Sequence, residues 1–241
     1  MQPKDRICLA LDVPNLITAR RLVEKLKDHV GVYKVGKELF TAVGPQIVRE
    51  INNLGGKVFL DLKYHDIPNT AAKAGEAATE LGVFMFNVHA SGGFEMMEAV
   101  AEAVRNKAML LGKQRPLVLA VTVLTSIDQE KMNIELNIDG DVEKQVVHLA
   151  LLAQKAGLDG VVCSPKEIKA IRQACGQDFV IVTPGIRPAW STIDDQKRIT
   201  TPRQAVEAGA DYMVIGRPIR NANDKEGAAQ KILDEIEGII K

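Results

Sequence analysis

The chain alternates eight times between a short apolar run and a longer amphipathic stretch, and this rhythm restricts the fold more than any other feature. The runs are Ile7–Leu11, Val32–Val35, Lys57–Leu60, Phe84–Val88, Leu117–Val123, Asp159–Cys163, Phe179–Val182 and Asp211–Ile215. Several are nearly unbroken β-formers, as expected of parallel strands covered on both faces. Between them apolar residues recur at helical spacing. Leu16, Ala19, Leu22, Val23 and Leu26 share one face, as do Met97, Val100, Ala101, Val104, Ala108 and Leu111, and later Ala229, Ile232, Leu233, Ile236 and Ile240. Eight such units in 241 residues predict an α/β fold, a single-domain (β/α)8 TIM barrel of parallel strands spanning 1–241. A doubly wound open sheet is the alternative. It is disfavoured because the first run turns into Asp12-Val13-Pro14-Asn15, not into a glycine-rich phosphate turn. The long gap after the fifth run predicts an extra helix over Val142–Lys155, and no linker or low-complexity tract divides the chain.

Composition narrows the function. Thirty-one Lys and Arg balance 31 Asp and Glu, which removes a general drive toward nucleic acid or anionic membrane. Aromatic residues are 4%, too few for a base-stacking surface. Leu81–Phe94, 14 residues without a charge, is too short and too polar to cross a bilayer, and residues 1–12 lack the pattern of a secretory signal. Cys8, Cys163 and Cys175 are odd in number and widely spaced, so they read as reduced packing residues of a cytoplasmic protein.

In such a barrel the chemistry sits at the C-terminal strand ends. The densest polar cluster there is Asp61-Leu62-Lys63-Tyr64-His65-Asp66-Ile67-Pro68-Asn69-Thr70. In an extended chain Asp61 and Lys63 point the same way, and a turn after the strand can return Asp66 to the same space. A lysine among carboxylates stays protonated, which suits a general acid better than a Schiff-base nucleophile. A structural ion-pair network bracing the strand end is the other reading. Asp12, Lys34, Lys37, His89 and Ser91, and Thr122 through Ser126, stand at neighbouring strand ends.

The last two strands lead into Thr183-Pro184-Gly185-Ile186-Arg187 and Gly216-Arg217-Pro218-Ile219. The loops after strands seven and eight recurrently form a phosphate site in barrels. Arg217 offers a bidentate fork, and Gly185 and Gly216 let backbone N–H groups approach an oxyanion. Surface arginines beside turn glycines would look the same. Arg187 to Thr201 has no regular period and reads either as a lid carrying Gln196 and the sole tryptophan, Trp190, or as a solvent loop. His65 and His89 lack partners at metal-ligand spacing, so neither a metal nor a cofactor is signalled.

These residues resemble the orotidine 5'-phosphate decarboxylase family. The likeness rests on Asp61 through Thr70 together with Leu9-Ala10-Leu11-Asp12, Tyr33-Lys34-Val35-Gly36, Thr122-Val123-Leu124-Thr125-Ser126, Thr183 through Arg187, Asp195-Gln196 and Ile215 through Ile219. The motifs fall in the family's order across essentially the whole chain. The resemblance implies a cofactor-independent lyase of UMP biosynthesis, with orotidine 5'-phosphate as its small-molecule substrate. It implies that Asp12 and Lys34 contact the ribose, that Asp61, Lys63 and Asp66 form a charged catalytic network, and that Lys63 protonates C6. Asp66 and Thr70 would reach in from the partner of a homodimer. Thr125 or Ser126 would meet the pyrimidine, Gln196 would bridge pyrimidine and phosphate, and Arg187, Gly216 and Arg217 would hold lid and phosphate. A metal-dependent sugar-phosphate decarboxylase or aldolase, and a non-catalytic nucleotide-binding barrel, are the alternatives.

Overall fold

A computed structural model of the chain describes residues 1–191 and 200–239. Eight parallel strands close into a barrel in sequence order: β1 (Ile7–Ala10), β2 (Val32–Gly36), β3 (Lys57–Tyr64), β4 (Met85–His89), β5 (Leu117–Val121), β6 (Gly160–Val162), β7 (Val180–Thr183) and β8 (Tyr212–Ile215). β8 returns to β1 through the register Cys8 to Val214. The expected (β/α)8 architecture is therefore present.

Period-two alternation sorts the side chains into two cores. Ile7 and Leu9 of β1 point outward into the shell shared with the helices, where Val23, Leu26 and Ile232 also pack. Cys8 and Ala10 point inward to join Phe59, Met85, Leu119, Val182 and Val214 inside the barrel. The helix Leu16–Leu26 buries Ala19, Leu22, Val23 and Leu26, the face read from spacing. It starts where it does because the Asn15 side chain accepts from the Thr18 N–H at 2.9 Å. The extra helix forms over Val142–Lys155 as expected, capped by Asp141. In the final helix, Lys225–Glu237, Ile232, Leu233 and Ile236 are buried, while Ile240 lies outside the described residues.

The barrel floor is closed by the turn Pro3–Arg6. The Gly31 N–H donates to the Lys4 carbonyl, and Arg6 donates to the Ala210 carbonyl. All eight strands finish at the opposite end.

Two strand ends depart from the apolar runs by more than one residue. β5 stops at Val121, two residues early, and β3 continues four residues past Leu60 to Tyr64. The β3 extension is irregular: pairing with β4 shifts register between Leu60 and Tyr64. Lys63 lies inside that shift with φ of 54°, one of two non-glycine residues in the left-handed region among the described residues. Such a conformation costs an L-residue about 1–3 kcal/mol unless its surroundings hold it.

Candidate active site

The site begins with the inward positions of β1 to β4. Asp12 follows β1, Lys34 lies on β2 and Asp61 on β3, so adjacent strands deliver alternating charges to one wall of the mouth. Lys34 Nζ lies 3.1 Å from Asp12 Oδ1 and 3.5 Å from Asp61 Oδ2, and Lys63 Nζ lies 2.6 Å from Asp61 Oδ1. Asp12, Lys34, Asp61 and Lys63 therefore form one continuous line of ion pairs. Asp61 and Lys63 are neighbours as expected, but not through strand alternation. Lys63 is not extended; its left-handed backbone turns the side chain back onto Asp61.

Burial works against the Asp61 charge, but Lys34, Lys63 and the hydrogen bonds from Lys63 and Asn87 outweigh it. The carboxyl is held below its ordinary range. Lys34 shows the mirror image: burial favours its neutral form, yet Asp61 and Asp12 keep the ammonium above the ordinary lysine range. Burial pushes the Cys8 thiol beneath them upward, so it stays neutral and serves packing. The three cysteines are free and buried.

Asp66 does not join this line within the chain. Its side chain is exposed, and Oδ1 accepts from the following Ile67 N–H at 2.7 Å. The expectation that a turn returns Asp66 to its own strand end is therefore not met: the tight turn spends the carboxylate on its own backbone. Thr70, one helical turn on, is exposed as well, and Ile67 between them is 67% exposed.

Lys34, Asp61 and Lys63 line one side of a cavity of about 280 Å³, and Leu124, Thr125 and Ser126 line another. Pro184 and Val214 bring it to the ends of β7 and β8. Beyond Pro184, Gly185 has φ of 77°, a left-handed turn suited to glycine, and the Arg187 N–H donates to the Thr200 carbonyl at 3.0 Å. Gly216 lies against the end of β1: a Cβ there would come within 3.3 Å of the Ala10 Cβ. Arg217 follows it and is exposed. Gln196 lies outside the described residues. Trp190 is exposed, with Lys231 Nζ 5.5 Å from its ring centre.

His65 stacks on His89 at 5.3 Å, and His89 Nδ1 lies 2.9 Å from Ser91 Oγ. Burial, and then the positive charges of His65, Lys63 and Lys37, push the His89 imidazole below its ordinary range. Among the described residues no three His, Cys, Asp or Glu side chains are grouped to hold a metal ion, and no helix is long and apolar enough to cross a membrane.

Two participants escaped the sequence reading. Arg220 hydrogen-bonds the Asp12 carbonyl and lies 3.8 Å from its carboxylate, anchoring the start of the charged line to the segment after β8. Asn87 is fully buried on β4 and touches both Asp61 and Lys63. Its signal was available: one amide inside an otherwise apolar strand.

The arrangement can hold an ammonium group rigidly beside a carboxylate on a small cavity wall, with arginines at the far strand ends. That geometry suits a reaction in which negative charge develops next to Lys63. Comparison with known proteins narrows the chemistry. Residues 5–232 match the orotidine 5'-phosphate decarboxylase / HUMPS family. The orotidine 5'-phosphate decarboxylase of Syntrophomonas wolfei subsp. wolfei is 58% identical over 238 residues, covering 98% of this chain and 100% of that protein. That of Moorella thermoacetica is 55% identical over 237 residues, covering 98% and 94%. Among solved structures, orotidine 5'-phosphate decarboxylase from Lactobacillus acidophilus aligns with a TM-score of 0.86 at 38% identity, covering 97% of this chain and 99% of that one.

Proposed function

Because this chain belongs to the orotidine 5'-phosphate decarboxylase / HUMPS family, we propose that it decarboxylates orotidine 5'-phosphate to UMP, the last step of de novo pyrimidine synthesis. The observation that carries the reading is the ion-pair line on the cavity wall, ending in Lys63 Nζ 2.6 Å from Asp61. The name shared by relatives more than half identical to this chain favours this reaction over the sugar-phosphate chemistry that similar loops could host.

In the proposed reaction the bond from C6 to the carboxylate breaks heterolytically. Carbon dioxide leaves, and the electron pair stays on C6 in an sp² orbital that the ring's π system cannot delocalise. Stabilisation is then electrostatic: the Lys63 ammonium, already fixed, faces the developing charge and needs no reorganisation. Lys63 transfers one proton to C6 to give UMP, and water reprotonates the amine. Asp61, kept ionised by its neighbours, lies where the substrate carboxylate departs and disfavours the ground state by repulsion.

Asp12 and Lys34 hold the ribose hydroxyls, and Thr125 or Ser126 meets the pyrimidine. Arg187, Gly216 and Arg217 hold the phosphate and the segment above it, with Gln196 bridging phosphate and base. Binding energy from the phosphate is thereby used at a distance from the reacting carbon. The protein acts as a homodimer with shared sites, in which Asp66 and Thr70 complete the partner's network. Their exposure, with the apolar Ile67 displayed between them, supports this. Free buried thiols accord with a cytoplasmic location, and balanced charge accords with no nucleic-acid partner.

The test is an absorbance assay with orotidine 5'-phosphate, with and without a metal chelator. Turnover to UMP that survives the chelator is the expected result. No turnover, or turnover lost with the chelator, contradicts the reading.

A further inference from the structure

We infer that Asn87 is a positioning residue that sets the Asp61–Lys63 pair for catalysis, an inference that rests on the decarboxylase reading above. Asn87 sits at the third position of β4. Met85, two residues earlier, points inward, while Phe86 and Val88 face the helices, so alternation carries the Asn87 side chain into the barrel just below the mouth. It is 0% exposed. It lies behind the charged wall and not on the cavity surface.

Its two polar atoms go to the two members of the pair. The Asn87 Nδ2 donates to Asp61 Oδ1 at 2.7 Å, the same oxygen that receives Lys63 Nζ. The Asn87 Oδ1 accepts from the Lys63 backbone N–H at 2.8 Å. Chemistry fixes which way the amide points, because an N–H only donates and a carboxylate only accepts.

The second bond is the informative one. Lys63 is left-handed at φ of 54°, in the stretch where β3 loses register with β4. Its N–H is thereby withdrawn from the strand ladder and needs a new acceptor, which β4 supplies by side chain. Asn87 thus holds the unusual turn that throws Lys63 Nζ back toward Asp61, and orients the carboxylate that receives it. No other short side chain offers a donor and an acceptor at this spacing without charge. Aspartate would set a second carboxylate against Asp61, and leucine would leave the Lys63 N–H without its acceptor and remove one donor from Asp61.

The prediction is a split between turnover and binding. In Asn87→Leu, kcat for orotidine 5'-phosphate falls about 100-fold, the scale of a misplaced catalytic group. KM, and the affinity for UMP measured by calorimetry, stay within about threefold, because the ribose and phosphate contacts are untouched. Asn87→Asp keeps the acceptor for the Lys63 N–H but loses the donor to Asp61, and shows the same split. Calorimetric stoichiometry with UMP counts folded sites, so kcat is expressed per competent site. Wild-type kcat per competent site in both variants overturns the inference, as does a parallel loss of UMP binding. Failure of both variants to fold also overturns it, since Asn87 would then serve stability. An inactive wild-type protein overturns the decarboxylase reading itself, a result distinct from these.

Discussion

A carboxylate with little access to water ordinarily gives up its charge, and Asp61 keeps its own because two ammonium groups and one amide face it. Its depressed titration has a definite sign. The stability it contributes is present above the ordinary carboxylate range and is lost as pH falls through its lowered value. Removing one cation reverses part of this. In Lys34→Met the acid limb of the pH profile of kcat/KM moves to higher pH, because Asp61 then protonates more easily. An unmoved acid limb would mean that Lys34 does not set the charge of Asp61.

Residue types at strand ends were legible because charge at the end of an apolar run is conspicuous: Asp12, Lys34, Asp61 and Lys63 are all brought together. Asn87 was passed over because it adds no charge, although it is the one amide inside an otherwise apolar strand. Asp66 was misplaced because a three-residue connection, His65 to Ile67, gives no sign whether its carboxylate returns to the strand or to its own backbone.

Elements whose ends carry a chemical marker could be read to the residue. The helix Val142–Lys155 starts where Asp141 accepts from the N–H groups of Glu143 and Lys144. β3 could not, because Asp61 and Lys63 end the apolar run while the strand goes on to Tyr64, and a left-handed lysine has no compositional signature. The turn Pro165–Glu167 after β6 shows a cap under tension. Ser164 donates its N–H to Glu167 Oε2 at 2.9 Å, yet burial pushes the Glu167 carboxyl from 4.5 up to about 7. Its raised value makes folding favour the protonated form, so this contribution is full below pH 4.5 and is lost as pH rises through about 7. Glu167→Gln keeps an acceptor for Ser164 without the charge. Thermal unfolding should show Tm raised by about 2–4 °C at pH 8 and little changed at pH 5. An equal shift at both pH values would count against burial as the cause.

At the scale of the molecule, the closed barrel gathers residues far apart in sequence, and eight repeats made that closure readable. What one chain's periodicity does not encode is which groups serve a neighbour. Asp66 and Thr70, exposed and turned from their own cavity, belong in the proposed dimer to the other site. Subunit mixing tests this. Lys63→Ala and Asp66→Ala proteins, each inactive alone, should recover about a quarter of wild-type activity when exchanged in equal amounts, since half the dimers would carry one intact site of two. No recovery after verified exchange would place Asp66 in its own subunit's site.

In the proposed reaction a single fixed ammonium, Lys63, receives the charge released at C6 and supplies the proton. Turnover of orotidine 5'-phosphate by Lys63→Ala, in protein whose circular dichroism and Tm show an intact barrel, is the decisive measurement. The expected result is that decarboxylation is abolished while the wild-type protein turns over. Substantial residual turnover in the folded variant would contradict it.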